Sequence, residues 1–196
     1  MIEELETYAN LLEALSLKLV WTLETHVHAD HVTAAAALAD RHGSRAAVNR
    51  AGGATCAHPL THGDRVRAGT IELEVRETPG HTDGCVTYVA SDRAFTGDAL
   101  LIGGCGRTDF QQGDPGRLYD SLHAQVFTLP PDTLLYPAHD YKGRTVTTVK
   151  EELATNARLG GGKSREEFVA IMNGLQLPRP KQIDRAVPAN LRCGRE

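Results

Sequence analysis

Apolar residues recur at helical spacing at the start of the chain. Ile2, Leu5, Leu12 and Leu15 share one side while Glu3, Glu4, Glu6 and Glu13 take the other, which predicts an amphipathic helix over residues 2–15. Residues 17–23 (LKLVWTL) are short, apolar and rich in strand formers, the pattern of a buried strand. Strong helix formers fill residues 34–39, and Gly43 is placed to end that helix in a left-handed turn. Residues 45–49 read as a weak strand. Ile71, Leu73 and Val75 alternate with Glu72, Glu74 and Arg76, a half-buried strand of period two, and a strand over 64–67 with a turn at Ala68-Gly69 completes a hairpin. Further strands fall at 85–90, 94–96 and 133–136. Helices are expected over 117–126, after the start signal Asp114-Pro115-Gly116, and over 146–158 and 165–175. The tail from Pro178, with Pro180 and Pro188, reads as an extended wrap over the surface. No repeat or linker divides the chain, so residues 1–196 are expected to form a single domain.

Composition narrows the classes. Hydrophobic content of 41% and charged content of 23% are ordinary for a globular protein. A net charge of −4 and the lack of a basic stripe with interleaved aromatics argue against nucleic acid as a partner. No run of about 18 apolar residues is present, so no membrane partner is expected, and the N-terminus does not read as a signal peptide. Cys56, Cys85, Cys105 and Cys193 form no Cys-x-x-Cys pair and a domain of this size needs no disulfide, so reduced thiols in a cytoplasmic setting are expected.

The chemistry concentrates in Thr25-His26-Val27-His28-Ala29-Asp30-His31. Imidazole nitrogens and a carboxylate suit zinc or iron, and His26 and His28, two apart, share a face of an extended segment. Each later strand runs into another candidate ligand: His81 after Thr78-Pro79-Gly80, Asp98 after Gly97, and His139 after Pro137-Ala138. Strand-end loops are where such folds carry their chemistry, and the repeated order of strand, turn and ligand favours a metal centre. By count alone there are ligands for one metal or two. His42, His58, His62 and His123 have no such setting and read as structural or surface residues.

The set Thr25-His26-x-His28-x-Asp30-His31, Pro79-Gly80-His81-Thr82, Thr96-Gly97-Asp98 and Pro137-Ala138-His139 resembles the metallo-β-lactamase superfamily along nearly the whole chain. The resemblance implies a layered α+β or α/β architecture, an αββα sandwich. Within that superfamily the stretch around Cys105-Gly-Arg-Thr-Asp-Phe110, the stretch Tyr136-Pro-Ala-His-Asp-Tyr-Lys-Gly143 and the tail through Val187-Pro-Ala-Asn-Leu-Arg-Cys193 resemble the persulfide dioxygenases (sulfur dioxygenases). That resemblance implies one iron(II), Fe(2+), per chain, held by His26, His81 and Asp98 with three positions open. It implies an oxidoreductase that takes glutathione persulfide and O2 to sulfite and glutathione, with His139, Asp140 and Tyr141 in the catalytic loop. Arg107, Tyr141 and Arg158 are the implied substrate-binding residues. His28, Asp30, His31 and Thr96 would support the ligands by hydrogen bonding, and Cys105 would pack in its loop. A homodimer is compatible with this reading.

The family begins with two or three strands ahead of its first helix. Here Met1 starts directly in that helix, so the resemblance implies an N-terminally truncated fold lacking roughly thirty residues of hairpin. The alternative function is a glyoxalase II-like glutathione thioester hydrolase with a dinuclear metal site, in which His28, Asp30, His31 and His139 become ligands.

Overall fold

The computed structural model describes residues 1–196. The chain forms two compact units, Met1–Leu60 with Leu177–Glu196, and Thr61–Gln176.

In the first unit a 3-10 turn at Ile2–Glu4 leads into α1 (Leu5–Ala14). The expected strand before the histidine cluster shortens to β1 (Trp21–Leu23). Then come α2 (Ala35–His42), ended by Gly43 at φ +67°, and β2 (Arg45–Asn49). β1 and β2 are parallel, pairing Leu23 with Ala47, which requires a crossover; α2 supplies it. A third strand, β3 (His58–Leu60), adds parallel to β2. Sequence pattern does not reveal β3, because three residues containing Pro59 show no alternation, and proline is tolerated there only because the strand lies at the sheet edge.

The second unit holds a six-stranded sheet in chain order: β4 (Arg65–Ala68), β5 (Ile71–Glu77), β6 (Val86–Val89), β7 (Arg93–Gly97), β8 (Leu134–Pro137) and β9 (Thr147–Thr148). All neighbours are antiparallel except β7 and β8, and α3 (Pro115–Gln125) makes that parallel crossover. Asp114 caps α3 by accepting from the Arg117 N–H at 2.8 Å. The helix expected over 146–158 divides. Thr147 and Thr148, β-branched, pair with Leu135 and Leu134 at the edge of β8, and Thr148 then caps α4 (Val149–Thr155). A Ser164–Glu167 capping box starts α5 (Arg165–Asn173). Leu118 and Leu122 of α3 and Phe168 of α5 form one core with Ala94, Leu135 and Val149. All of these are essentially inaccessible to solvent.

The chain then completes the first unit with α6 (Ile183–Asn190), where an extended tail was expected. Pro178, Pro180 and Pro188 are helix breakers in isolation, and Pro188 does remove one backbone donor inside α6. Burial of Ala186 and Ala189 beside Val32 and Ile2 outweighs that loss, since helical stability in proteins comes mostly from packing. A second correction concerns the thiols. Cys56 and Cys193 are disulfide-bonded, with Cα atoms 5.9 Å apart although 137 residues separate them in sequence. The tail brings them together: the Thr55 N–H donates to the Leu191 carbonyl at 3.2 Å. Only Cys85 and Cys105 remain as thiols, and both are buried. The reduced-thiol ground for a cytoplasmic setting therefore falls away. No helix is long and apolar enough to cross a membrane.

Candidate metal centre

In the first unit the loop after β1 gathers the clustered histidines. His26 and His28 are buried, their ring centroids 4.1 Å apart, as expected for two residues sharing a face. His31 lies 4.3 Å from the His28 ring, and its Nδ1 is 3.1 Å from Asp30 Oδ2. His28, Asp30 and His31 bring ligand atoms within 4.8 Å of one another.

Two residues that the sequence reading missed shape this loop. Glu24 is half-buried; its carboxylate accepts from the Thr33 hydroxyl and sits 3.4 Å from His28 Nε2. Burial pushes its pKa up, but His28, Thr33 and His31 together hold it below the ordinary carboxylate value. Asn190, at the end of α6, donates from its amide nitrogen to the carbonyls of His28 (2.9 Å) and His31 (2.8 Å) and accepts from the Thr33 N–H at 2.9 Å. The signal for Glu24 was its place four residues before His28. Asn190 lies inside a recognised stretch, but nothing in the sequence assigns it a partner.

In the second unit three strand ends converge. The turn after β5 places Gly80 at φ +134°, where a Cβ would come within 2.3 Å of the Leu118 nitrogen, so only glycine fits. His81 follows it. Its Nδ1 lies 2.6 Å from the Arg107 carbonyl. A carbonyl only accepts, so Nδ1 carries a proton, and Nε2 is the ring nitrogen turned to the site. That nitrogen is 3.8 Å from Asp98 Oδ2, at the end of β7. The other oxygen, Oδ1, accepts from His139 Nδ1 at 2.6 Å, at the end of β8. An imidazole locked by a backbone carbonyl beside a carboxylate oriented by a second histidine is a donor set suited to a divalent transition metal.

The Cys105 loop is built against these two residues. The Gly106 N–H donates to the Asp98 carbonyl at 2.7 Å. A Cβ on Gly106 would lie 2.4 Å from that oxygen and 2.7 Å from His81 Nδ1. Cys105 is packed as expected, and burial pushes its thiol up to about 11. Arg158 Nη1 donates to the Cys105 carbonyl at 2.7 Å. Glu152, fully buried, accepts from the Gly103 N–H (2.9 Å), the Thr147 hydroxyl (2.8 Å) and Asn156 Nδ2 (2.6 Å), anchoring the loop's start. Sequence reasoning missed Glu152, which reads as an ordinary helix-surface charge.

The remaining expected residues are placed as follows. Arg107 forks onto Asp109 at 2.6 and 2.7 Å and lies 4.7 Å from the Phe110 ring centroid. Tyr141 is 84% exposed and stacks parallel to the His139 ring at 6.2 Å. Asp140 accepts from the Lys142 N–H at 3.0 Å and from that of Arg144, so it closes its own turn. Thr96 donates to the Leu100 carbonyl at 2.7 Å, fixing the turn that carries Asp98.

Residues 62–139 match the family model of the metallo-β-lactamase superfamily. The human protein named persulfide dioxygenase ETHE1, mitochondrial, is 53% identical over 189 residues, covering 95% of this chain and 74% of its own length. The crystal structure of ETHE1 from Myxococcus xanthus superposes with a TM-score of 0.96 at 52% identity, covering 99% of this chain and 86% of that one. A hydroxyacylglutathione hydrolase from Cereibacter sphaeroides is 41% identical, but over 63% of this chain and 49% of its own length. The chain therefore belongs to the metallo-β-lactamase superfamily and has its fold, and within that superfamily it belongs to the persulfide dioxygenase family.

Proposed function

We propose that this chain is an iron(II)-dependent dioxygenase that converts glutathione persulfide, O2 and water to glutathione and sulfite. The observation that carries the reading is the close identity to persulfide dioxygenases along nearly the whole chain, rather than to the hydrolase branch. In this proposal His26, His81 and Asp98 hold one metal. Support for His81 and Asp98 comes from the tautomer lock at Arg107 and from the division of Asp98's two oxygens between His139 and His81. When bound, iron(II) supplies the electronic route by which spin-paired sulfur reacts with triplet dioxygen.

The chain's own residues orient and exclude. The Nδ1 hydrogen bond keeps His81 Nε2 turned to the site, and His139 fixes the Asp98 carboxylate plane. We assign His28, Asp30 and His31 to holding the ligand loop, and Thr96 and Asp140 to shaping the turns beside Asp98 and His139. Tyr141, exposed beside His139, offers a hydroxyl for the substrate peptide. The guanidinium groups of Arg107 and Arg158 complement glutathione's two carboxylates.

Metal analysis of anaerobically purified protein with oxygen-electrode assays on glutathione persulfide tests the proposal. One iron per chain, with oxygen uptake matched by sulfite release, is expected. Two metals per chain, with hydrolysis of S-lactoylglutathione and no oxygen uptake, would overturn it.

A further inference from the structure

The first unit contains a cleft of about 300 Å³ whose lining includes Ser44, Arg45, Cys56, His58, Cys193 and Arg195. The Cys56–Cys193 disulfide is thus part of its wall. The two half-cystines differ in access: Cys56 is exposed, whereas Cys193 is buried. Two arginines line the same cleft. Arg45 stacks 3.8 Å from the Trp21 ring centroid and makes no ion pair, and Arg195 pairs with Asp40 at 2.8 Å on the surface.

The bond fastens the segment that shapes the histidine loop. Three residues before Cys193, Asn190 bridges the carbonyls of His28 and His31 and the N–H of Thr33. The Cys193 carbonyl accepts from the Ala36 N–H at 2.9 Å. Gly194, at φ +90°, lies so close to the Thr33 carbonyl that a Cβ would come within 2.0 Å of its oxygen. Residues 190–194 therefore grip residues 28–36 at several consecutive points, and the disulfide ties that grip to the β2–β3 connection.

We propose that this cleft binds a small anionic thiol, and that thiol–disulfide exchange at Cys56 releases the C-terminal clamp on the histidine loop. The incoming thiolate attacks Cys56 Sγ, the sulfur of the exposed half-cystine. The S–S bond breaks, its electron pair leaves on Cys193 Sγ, which takes up a proton, and the small thiol remains in a mixed disulfide with Cys56. A second thiolate attacks the small-molecule sulfur of that mixed disulfide. Cys56 leaves as a thiol, two small thiols have become one disulfide, and the protein disulfide has become two thiols. Arg45 and Arg195 select for carboxylate-bearing thiols over neutral ones.

The probe pair is glutathione and its diethyl ester, the same thiol with the carboxylates masked, added to the disulfide-bonded full chain. Intact mass and peptide mapping should show the adduct on Cys56, forming roughly threefold or more faster with glutathione, as expected for partly exposed ion pairs. Added salt and Arg45→Ala should each erase that preference, and Arg45→Lys should keep it. Amide hydrogen exchange across residues 28–36 should rise after reduction, and Cys193→Ser should reproduce the rise without any thiol. An adduct on Cys193, equal rates for the two probes, or unchanged exchange in the reduced protein would overturn the proposal. None of these readouts involves metal or oxygen uptake, so the proposal stands or fails apart from the activity.

Discussion

Asp98 and His139 form a 2.6 Å hydrogen bond that occupies one carboxylate oxygen and leaves the other facing His81. A carboxylate divided in this way cannot rotate freely, so its second oxygen is already aimed. Removing each partner should have a different effect. Asp98→Ala deletes a proposed ligand and should abolish metal retention. His139→Ala deletes only the orienting partner and should weaken metal affinity by about 10–100-fold. Metal content after dialysis against a graded chelator series separates the two; equal loss would show that His139 itself ligates.

Gly106 is predicted to be irreplaceable. A methyl group there would overlap the Asp98 carbonyl and the His81 ring. Gly106→Ala should destabilise the protein by about 1–3 kcal/mol through overpacking and should reduce metal affinity as well. Urea denaturation with metal titration checks both. Gly103→Ala is the contrasting control: a Cβ there meets open space, so its cost should be confined to the strain of a positive φ.

Asn190 acts on the histidine loop from 157 or more residues away in sequence. Asn190→Ala leaves two carbonyls and one N–H of that loop without their partner and should cost ~2–4 kcal/mol. Asn190→Asp should fare no better, because an ionised carboxylate cannot donate to the carbonyls of His28 and His31. Thermal unfolding of the two variants decides: if Asn190→Asp matches the wild type, the donor role is wrong.

His28→Ala should retain much of the metal, since His28 is assigned to hold the ligand loop rather than to bind the ion. Complete metal loss in a folded variant would argue for direct ligation. Circular dichroism alongside elemental analysis distinguishes that outcome from unfolding.

Burial raises the Cys105 thiol to about 11 and the Cys85 thiol to about 12, from an ordinary value of 9.0. The folded state disfavours both thiolates, so the contribution is fully present below the unfolded value and is lost as pH rises through the folded values. The urea midpoint should therefore drop as pH rises from about 9 towards about 11 and 12, and Cys105→Ala should flatten part of that drop. Neither thiol should react with an alkylating reagent at about pH 8 until the protein unfolds.

Much of this site is legible in the sequence because its residues sit at positions where local rules operate. His81, Asp98 and His139 each follow a strand whose period or composition announces it and a turn whose Gly or Pro punctuates it. Gly43 and Asp114 mark helix ends by chemistry confined to a few residues. Where local rules conflict with packing, the reading goes astray. Thr147 and Thr148 look like the start of a helix until β8 offers an edge to pair with, and three prolines hide α6 until Ala186 and Ala189 are buried.

The linear sequence by itself determined the candidate ligand types, their attachment to strand ends and the family they resemble, since side-chain chemistry and short-range spacing carry that information. Only the tertiary structure decided which nitrogen of His81 is protonated, which oxygen of Asp98 is engaged, why Gly106 tolerates no side chain, and that Cys56 meets Cys193. Each of these depends on atoms brought within a few ångströms from positions many residues apart, and no local pattern encodes such a meeting.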